Sequence, residues 1–222
     1  MNQPENERAV IGICGLIGSG KDTFANYLVE KYDFVKLSFA SALKDVLCAV
    51  FGWDRQMIEG DTKESREWRN TVDQWWSKRL GIPDLTPRKM LQLWGTDLCR
   101  REFHNEIWIA SLQRKIEQLP ADKNVVVCDC RFPEEIDLIK SFNNNLIIKV
   151  ERNVPHWEHL AQQAADGRKE AIQVLTDIYE IHESEWRVWC CKPDITVKNQ
   201  GTLNDFYQSI EFTVGCFAEL AS

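Results

Sequence analysis

The stretch GLIGSGKDTFANYL, residues 15–28, decides how the rest of the chain is read. Gly15, Gly18, Gly20 and Lys21 have the spacing of a phosphate-binding loop. In such a loop glycines let backbone N–H groups surround phosphate oxygens, and the lysine meets the outer phosphates as a point charge. One letter departs from the common form. The residue after the lysine is usually Ser or Thr, whose hydroxyl meets Mg²⁺; here it is Asp22, and Thr23 follows. The flanks fit the loop. AVIGICG (9–15) is an apolar run ending in glycine, which reads as a buried strand, and residues 21–31 carry Phe24, Tyr27, Leu28 and Lys31 at helical spacing. A glycine-rich loop between a strand and a helix is the context this motif requires.

Working outward, FVKLSF (34–39) reads as a second strand and ASALKDVLCAVF (40–51) as a helix stopped near Gly52. The middle of the chain is helical. ESREWRNTVDQWWSKRL (64–80) reads as one helix, with Trp68, Val72, Trp75, Trp76 and Leu80 at three- and four-residue spacing. TPRKMLQLWGTDLCRREF (86–103) begins with Thr86 as N-cap and Pro87 at the first helical position. NEIWIASLQRKIEQL (105–119) is closed by Pro120. NVVVCD (124–129) is a continuous apolar run with an acid at its end, the pattern of a buried parallel strand. A helix (133–142), a strand (145–152), a polar helical stretch (155–186) and a last strand, DITVKN (194–199), follow. A closing helix starts at 202, with Thr202 and Asp205 at capping spacing. Alternating strands and helices predict an α/β fold with a parallel sheet covered on both faces.

Composition bounds the function. The chain has 222 residues and a net charge of −7, which argues against nucleic-acid binding as its main role. No apolar run is long enough to cross a bilayer. The polar start, MNQPENERAV, is not a signal peptide and reads as a short disordered tail. Eight cysteines could suggest disulfides, but Cys14, Cys48, Cys128 and Cys216 lie in apolar runs and neither Cys128 with Cys130 nor Cys190 with Cys191 has a partner pair at zinc-ligand spacing. Reduced thiols in a cytosol are expected. Of the four histidines, His104, His156, His159 and His182, the pair His156 and His159 reads as a solvated helix face.

Further polar residues gather chemistry. Asp129 ends its strand as the second acid that phosphate-loop enzymes use near their metal. Arg131 lies just past that strand end, at the crevice where open α/β sheets bind ligands, and a planar guanidinium suits a phosphate there. The competing reading is an ion pair with Glu134 or Glu135. Arg88 and Gln92 are four apart and share a helix face. Gly95 weakens its helix by about 1 kcal/mol, which suggests that something approaches closely there. Asp22 has two readings as well: it orients Mg²⁺, or it is a helix-end acid favoured by the dipole. The tryptophans read as core residues more often than as stacking ones, with Trp108 the exception.

The pattern G-x-x-G-x-G-K-x-T resembles the loop of nucleoside monophosphate kinases. The ordered set GKDT, LSFASALKD, LQLWGTDL, IWI, VVVCDCRFPEE, HESEW and DITVKNQGTLNDF resembles the phage deoxynucleoside monophosphate kinase family, from about residue 10 to 210. That resemblance implies a phosphate-loop kinase fold: a core over about 9–39, 121–152 and 192–222, a helical insertion over about 40–120, and a lid over about 153–190. It implies transfer of the γ-phosphoryl of ATP to a deoxynucleoside monophosphate, a modified pyrimidine included. The ATP site would comprise Gly15, Gly18, Ser19, Gly20, Lys21, Asp22, Thr23 and Arg152. The acceptor site would comprise Lys44, Arg88, Gln92, Gly95, Thr96, Trp108, Asp129, Arg131 and Glu135. Lys21, Arg131 and Asp129 would be catalytic, and Asp22 and Thr23 would face Mg²⁺ directly or through water. Arg152 or Arg168 would join them from the lid. The partners expected are small nucleotides, in a cytoplasmic protein that binds neither nucleic acid nor membrane, with a homodimer left open. Another small-molecule kinase, such as phosphomevalonate kinase, resembles this chain around GKD, LSFASALKD and DCR; a regulatory ATP-binding protein is the alternative of a different class.

Overall fold

The computed structural model describes residues 8–220, and side chains up to residue 217. The tail expected at the N-terminus lies mostly outside these residues. Arg8, at its edge, is only 4% exposed and donates to the carbonyls of Ile116, Leu119 and Pro120, so ordered structure begins at least there.

The chain divides into two compact units: the residues up to Ser38 with those from Gln113 onward, and Phe39–Leu112. The larger unit holds a five-stranded sheet, β1 (Ala9–Cys14), β2 (Val35–Leu37), β3 (Val125–Cys130), β4 (Asn144–Glu151) and β5 (Ile195–Lys198), in the order β2-β3-β1-β4-β5. Every pairing is parallel. All six residues of β1 are buried, as an apolar strand covered on both faces requires. Helix α1 (Lys21–Tyr32) packs with the closing helix α12 (Leu203–Leu220) over one face. Phe24 and Phe206 meet edge to face with ring centres 6.2 Å apart, and full burial of each such ring contributes about 1.5–3 kcal/mol. The start of α12 is fixed by reciprocal capping: Asp205 accepts from the Thr202 N–H at 2.8 Å, and Thr202 Oγ1 from the Asp205 N–H at 3.3 Å.

The smaller unit is helical: α2 (Ser41–Phe51), α3 (Arg55–Glu59), α4 (Lys63–Arg69), α5 (Gln74–Leu80) and α6 (Pro87–Gln92), which runs on as a π-helix over Leu93–Phe103. Helix α7 (Ile107–Glu117) follows. The single helix expected over 64–80 is two helices. Asn70 ends α4, and Asp73 starts α5 by accepting from the Trp76 N–H at 3.1 Å. A side chain that can cap a helix competes with helix continuation through its position, and here capping wins. The break turns Trp68 and Trp76 inward, where they join Phe51, Trp53 and Trp94 in one aromatic cluster, and leaves Trp75 64% exposed. Thr86 and Pro87 start α6 as expected, with Thr86 Oγ1 accepting from the Lys89 N–H.

Back in the larger unit, α8 (Pro133–Lys140) joins β3 to β4. The stretch after β4 is broken into α9 (Glu158–Ala165), α10 (Lys169–Gln173) with a π-helical extension, and α11 (Glu183–Trp186), which continues as a 3₁₀ turn. These pieces share a small core of Ala161, Ala164, Ala171, Leu175 and Trp186. All eight cysteines are thiols. Among the described residues no helix is long and apolar enough to cross a membrane.

Asp73 holds two parts of the small unit at once, since its Oδ2 also accepts from the buried Trp53 indole N–H at 2.8 Å. Asp73→Ala removes a cap and strands that N–H, so it is expected to cost about 1–3 kcal/mol, read as a lower urea midpoint for the Trp fluorescence transition.

Candidate functional site

The glycine loop follows β1 directly, and its shape is set by backbone conformations that side chains resist. Gly15, Gly18 and Gly20 have φ of 138°, 76° and 109°. A Cβ on Gly15 would collide with the Val150 carbonyl, and one on Gly20 would come within 2.5 Å of Asn199 Nδ2. The Leu16 carbonyl accepts from the Ser19 N–H at 3.2 Å and from Lys21 Nζ at 2.7 Å, which folds the loop over the lysine. Ser19 is buried with its hydroxyl unpartnered, and Asn199 Nδ2 donates to its carbonyl at 2.8 Å.

Sheet register brings the rest of the site to this edge. Cys14 of β1 lies beside Cys130 of β3 and Lys149 of β4, so the residues that follow all three strands emerge together. Asp129 is half-buried at the end of β3, and its Oδ2 accepts from Ser38 Oγ at 2.7 Å. The Arg131 guanidinium lies 3.4 Å from both Glu185 Oε1 and the Ser184 carbonyl of α11. Neither ion-pair partner expected for it is the one found: Glu134 faces Arg187 at 3.4 Å, and Glu135 holds Arg131 by the backbone. Arg187 also lies over the Phe132 ring, 5.1 Å from its centre.

Burial and the nearby Arg131 charge push the Lys21 ammonium below its ordinary pKa, with Asp22 and Glu185 opposing. Asp22 behaves differently. Its partial burial favours the neutral acid, but Lys36, 3.0 Å away, outweighs this and, with Lys21, brings the carboxyl below its usual range. Asp22 is therefore ionised at neutral pH and 60% exposed, with Thr23 half-buried beside it. An open cleft of about 550 Å³ adjoins the loop, lined by Gly18, Arg152, Asn153, Asn199 and Gln200. Arg168 is exposed ahead of α10.

Several expected acceptor-site residues have other work. Glu135 is 2% exposed, and its Oε2 accepts from the Arg131 N–H at 2.7 Å and the Phe132 N–H at 3.1 Å, capping α8. It positions Arg131 and is too buried to touch a nucleotide. Trp108 is 8% exposed and donates its indole N–H to the Gly95 carbonyl at 2.8 Å, so it is a core residue without an open stacking face. The close neighbour that calls for glycine at position 95 is Leu43, whose Cδ2 would lie 2.7 Å from an added Cβ. Thr96 is buried in the same π-helix. Lys44 is buried and ion-paired with Glu59, which also binds Arg55. Arg88 Nε donates to Asn70 Oδ1 at 2.7 Å, and Gln92 is half-buried where α6 widens into the π-helix.

The sequence reading missed Lys36, Ser38, Glu185, Arg187 and Asn199. Ser38, Glu185 and Asn199 do lie in the motifs LSFASALKD, HESEW and DITVKNQG, but pairing each with its partner needs the sheet order.

A loop between β1 and α1 whose glycines take positive φ, a half-buried lysine at its end, and an acid closing the adjoining parallel strand define a phosphate-loop protein of the kinase type. A model of the deoxynucleotide monophosphate kinase family matches residues 56–165. A protein of Acanthamoeba polyphaga mimivirus, assigned to the deoxynucleotide monophosphate kinases, is 31% identical over 216 residues, covering 90% of this chain and 93% of its own. The deoxynucleoside-5′-monophosphate kinase of Escherichia phage T5 is 26% identical over 183 residues, covering 61% of this chain and 73% of its own. The chain belongs to the deoxynucleotide monophosphate kinase family. A solved dephospho-CoA kinase from Campylobacter jejuni matches 95% of this chain and 98% of its own at 15% identity, with a TM-score of 0.44.

Lys21 yields a test that separates function from stability. Its pKa is lower in the folded ligand-free protein than in the unfolded chain, so its charge opposes folding. That penalty is fully present below the folded pKa and is relieved as pH rises towards the ordinary lysine value. Lys21→Met is therefore expected to leave urea stability at pH 7 equal to or above wild type while removing most turnover.

Proposed function

We propose that this protein transfers the γ-phosphoryl group of ATP to the 5′-phosphate of a deoxynucleoside monophosphate, giving the diphosphate and ADP. The observation that carries this reading is the convergence at one sheet edge of the glycine loop with Lys21, which follows β1, and of Arg131, which follows β3, where Cys14 lies beside Cys130; the Arg131 charge lowers the lysine pKa. Two like charges held together favour a polyanion in the space they face.

The acceptor's attacking atom is a phosphate oxygen, already anionic, so no strong general base is needed. An acceptor oxygen bonds to the γ-phosphorus as the bond to the β-phosphate oxygen breaks. Lys21 and the loop N–H groups hold the donor phosphates, and Arg131 holds the acceptor phosphate, its backbone fixed by Glu135. Positioning and charge neutralisation carry the rate. Asp129, steadied by Ser38, and the pair Asp22 and Thr23 offer oxygen donors of the kind Mg²⁺ takes. Among the described residues no cluster of three or more His, Cys, Asp or Glu side chains could hold a metal by itself. Mg²⁺ is commonly held by one or two carboxylates together with substrate phosphates. When bound, Mg²⁺ would neutralise charge on the transferring phosphoryl group.

A panel of deoxynucleoside monophosphates with ATP and Mg²⁺, phosphomevalonate and no acceptor tests the assignment. ADP formation is expected with at least one deoxynucleoside monophosphate; ADP formed only with phosphomevalonate, or never, would move the protein to another class. On accepted substrates Arg131→Ala should lower kcat/KM by a similar factor for every base, because each carries the same phosphate. Gln92→Ala should change the ratio between bases by about five- to a hundredfold, the effect of an unpaired buried polar group. An inverted pattern would reverse these two roles. For Asp22→Ala, the Mg²⁺ concentration for half-maximal rate is expected to rise; an unchanged titration would leave Asp22 as a helix-end acid paired with Lys36.

A further inference from the structure

We propose that Asn199 is the positioning residue that aims the phosphate loop, a role that rests on the phosphate-loop reading given above. Asn199 follows β5 and is 8% exposed. Its backbone N–H donates to the Glu151 carbonyl at the end of β4, at 2.8 Å. Its side-chain Nδ2 donates to the Ser19 carbonyl, also at 2.8 Å and buried. The residue is thus anchored to the sheet on one side and to the loop on the other.

The consequence follows from the planar trans peptide. In the Ser19–Gly20 unit the C=O and N–H vectors point in opposite directions. Tying the Ser19 carbonyl to Asn199 turns the Gly20 N–H away from Asn199, towards the concave side of the loop where phosphate oxygens would sit. The Gly20 carbonyl accepts from the Phe24 N–H at 2.9 Å, which fixes the next peptide as the first turn of α1. Gly20 is the residue whose Cβ would strike Asn199 Nδ2 at 2.5 Å. The glycine and the asparagine are therefore one device: the missing side chain is what lets the amide reach the carbonyl behind it. Asn199 touches no reacting atom in this account and acts through the loop.

The test compares Asn199→Asp, which sets a carboxylate against the carbonyl, with Asn199→Ser, whose hydroxyl stops short of it. ADP binding is measured by titration calorimetry, and folding by circular dichroism. Both variants are expected to bind ADP at least about tenfold more weakly than wild type, the effect of losing one buried polar contact, with Asp the worse. The KM for ATP should rise while the KM for the monophosphate changes less than about twofold. Unchanged ADP binding in a folded variant overturns the proposal. So does a parallel rise in both KM values, which marks general loosening. Wild-type protein that fails to bind ADP sinks the phosphate-loop reading itself, a result distinct from either.

Discussion

The parallel pairing of β1 with β3 on one side and β4 on the other is the constraint on which the site depends. It places the ends of three buried strands at one edge of the sheet, with Cys14 beside Cys130 and Lys149. The centre of the site then follows within a few residues of those ends: the glycine loop after β1, Asp129 and Arg131 at the end of β3, and the Val150 carbonyl that excludes a side chain at Gly15. Parallel strands need covered faces, and the packing of α1 and α12 meets that need on one of them. The hydrophobic core and the phosphate site are thus two results of the same register.

The charges around the loop are only partly balanced within the protein. Lys21 and Arg131 repel, and Glu185 offsets part of that cost from α11. Asp22 is drawn to Lys36 and kept ionised. Glu135 spends its buried carboxylate on two backbone N–H groups, so the start of α8 is closed to an incoming anion and Arg131 is held firmly by its main chain. On the function proposed above, a polyanion arriving at this edge would meet cations whose supports are already in place, the form of preorganisation that electrostatic catalysis requires.

The smaller unit follows a different logic. Its tryptophans are largely structural: Phe51, Trp53, Trp68, Trp76 and Trp94 pack against one another, and Trp108 hydrogen-bonds to Gly95 inside the same core. A unit of short helices has little apolar area per residue, and large rings supply it. The π-helix from Leu93 widens the turn around Gly95 and Thr96, where Leu43 approaches. Such widened turns are frequent at functional sites, and Gln92 sits where this one begins.

What the sequence determined by itself was whatever local chemistry encodes. Strands β1 and β3 could be read because buried parallel strands are continuous apolar runs, and the loop because no other motif needs those glycines and that lysine between a strand and a helix. The starts of α6 and α12 were legible in Thr86, Pro87, Thr202 and Asp205. The order of the strands, and with it the pairings of Ser38 with Asp129, Glu185 with Arg131 and Asn199 with Ser19, was decided by tertiary structure, because each joins residues 54–180 positions apart. Burial was decided there too. Trp108 and Glu135 have residue types that suit a nucleotide, and periodicity cannot say whether such a side chain meets a ligand or the core. The break at Asn70–Asp73 failed to show for a related reason: a helical spacing of tryptophans continues across it, and only the capping by Asp73 and the packing of Trp68 and Trp76 reveal two short helices.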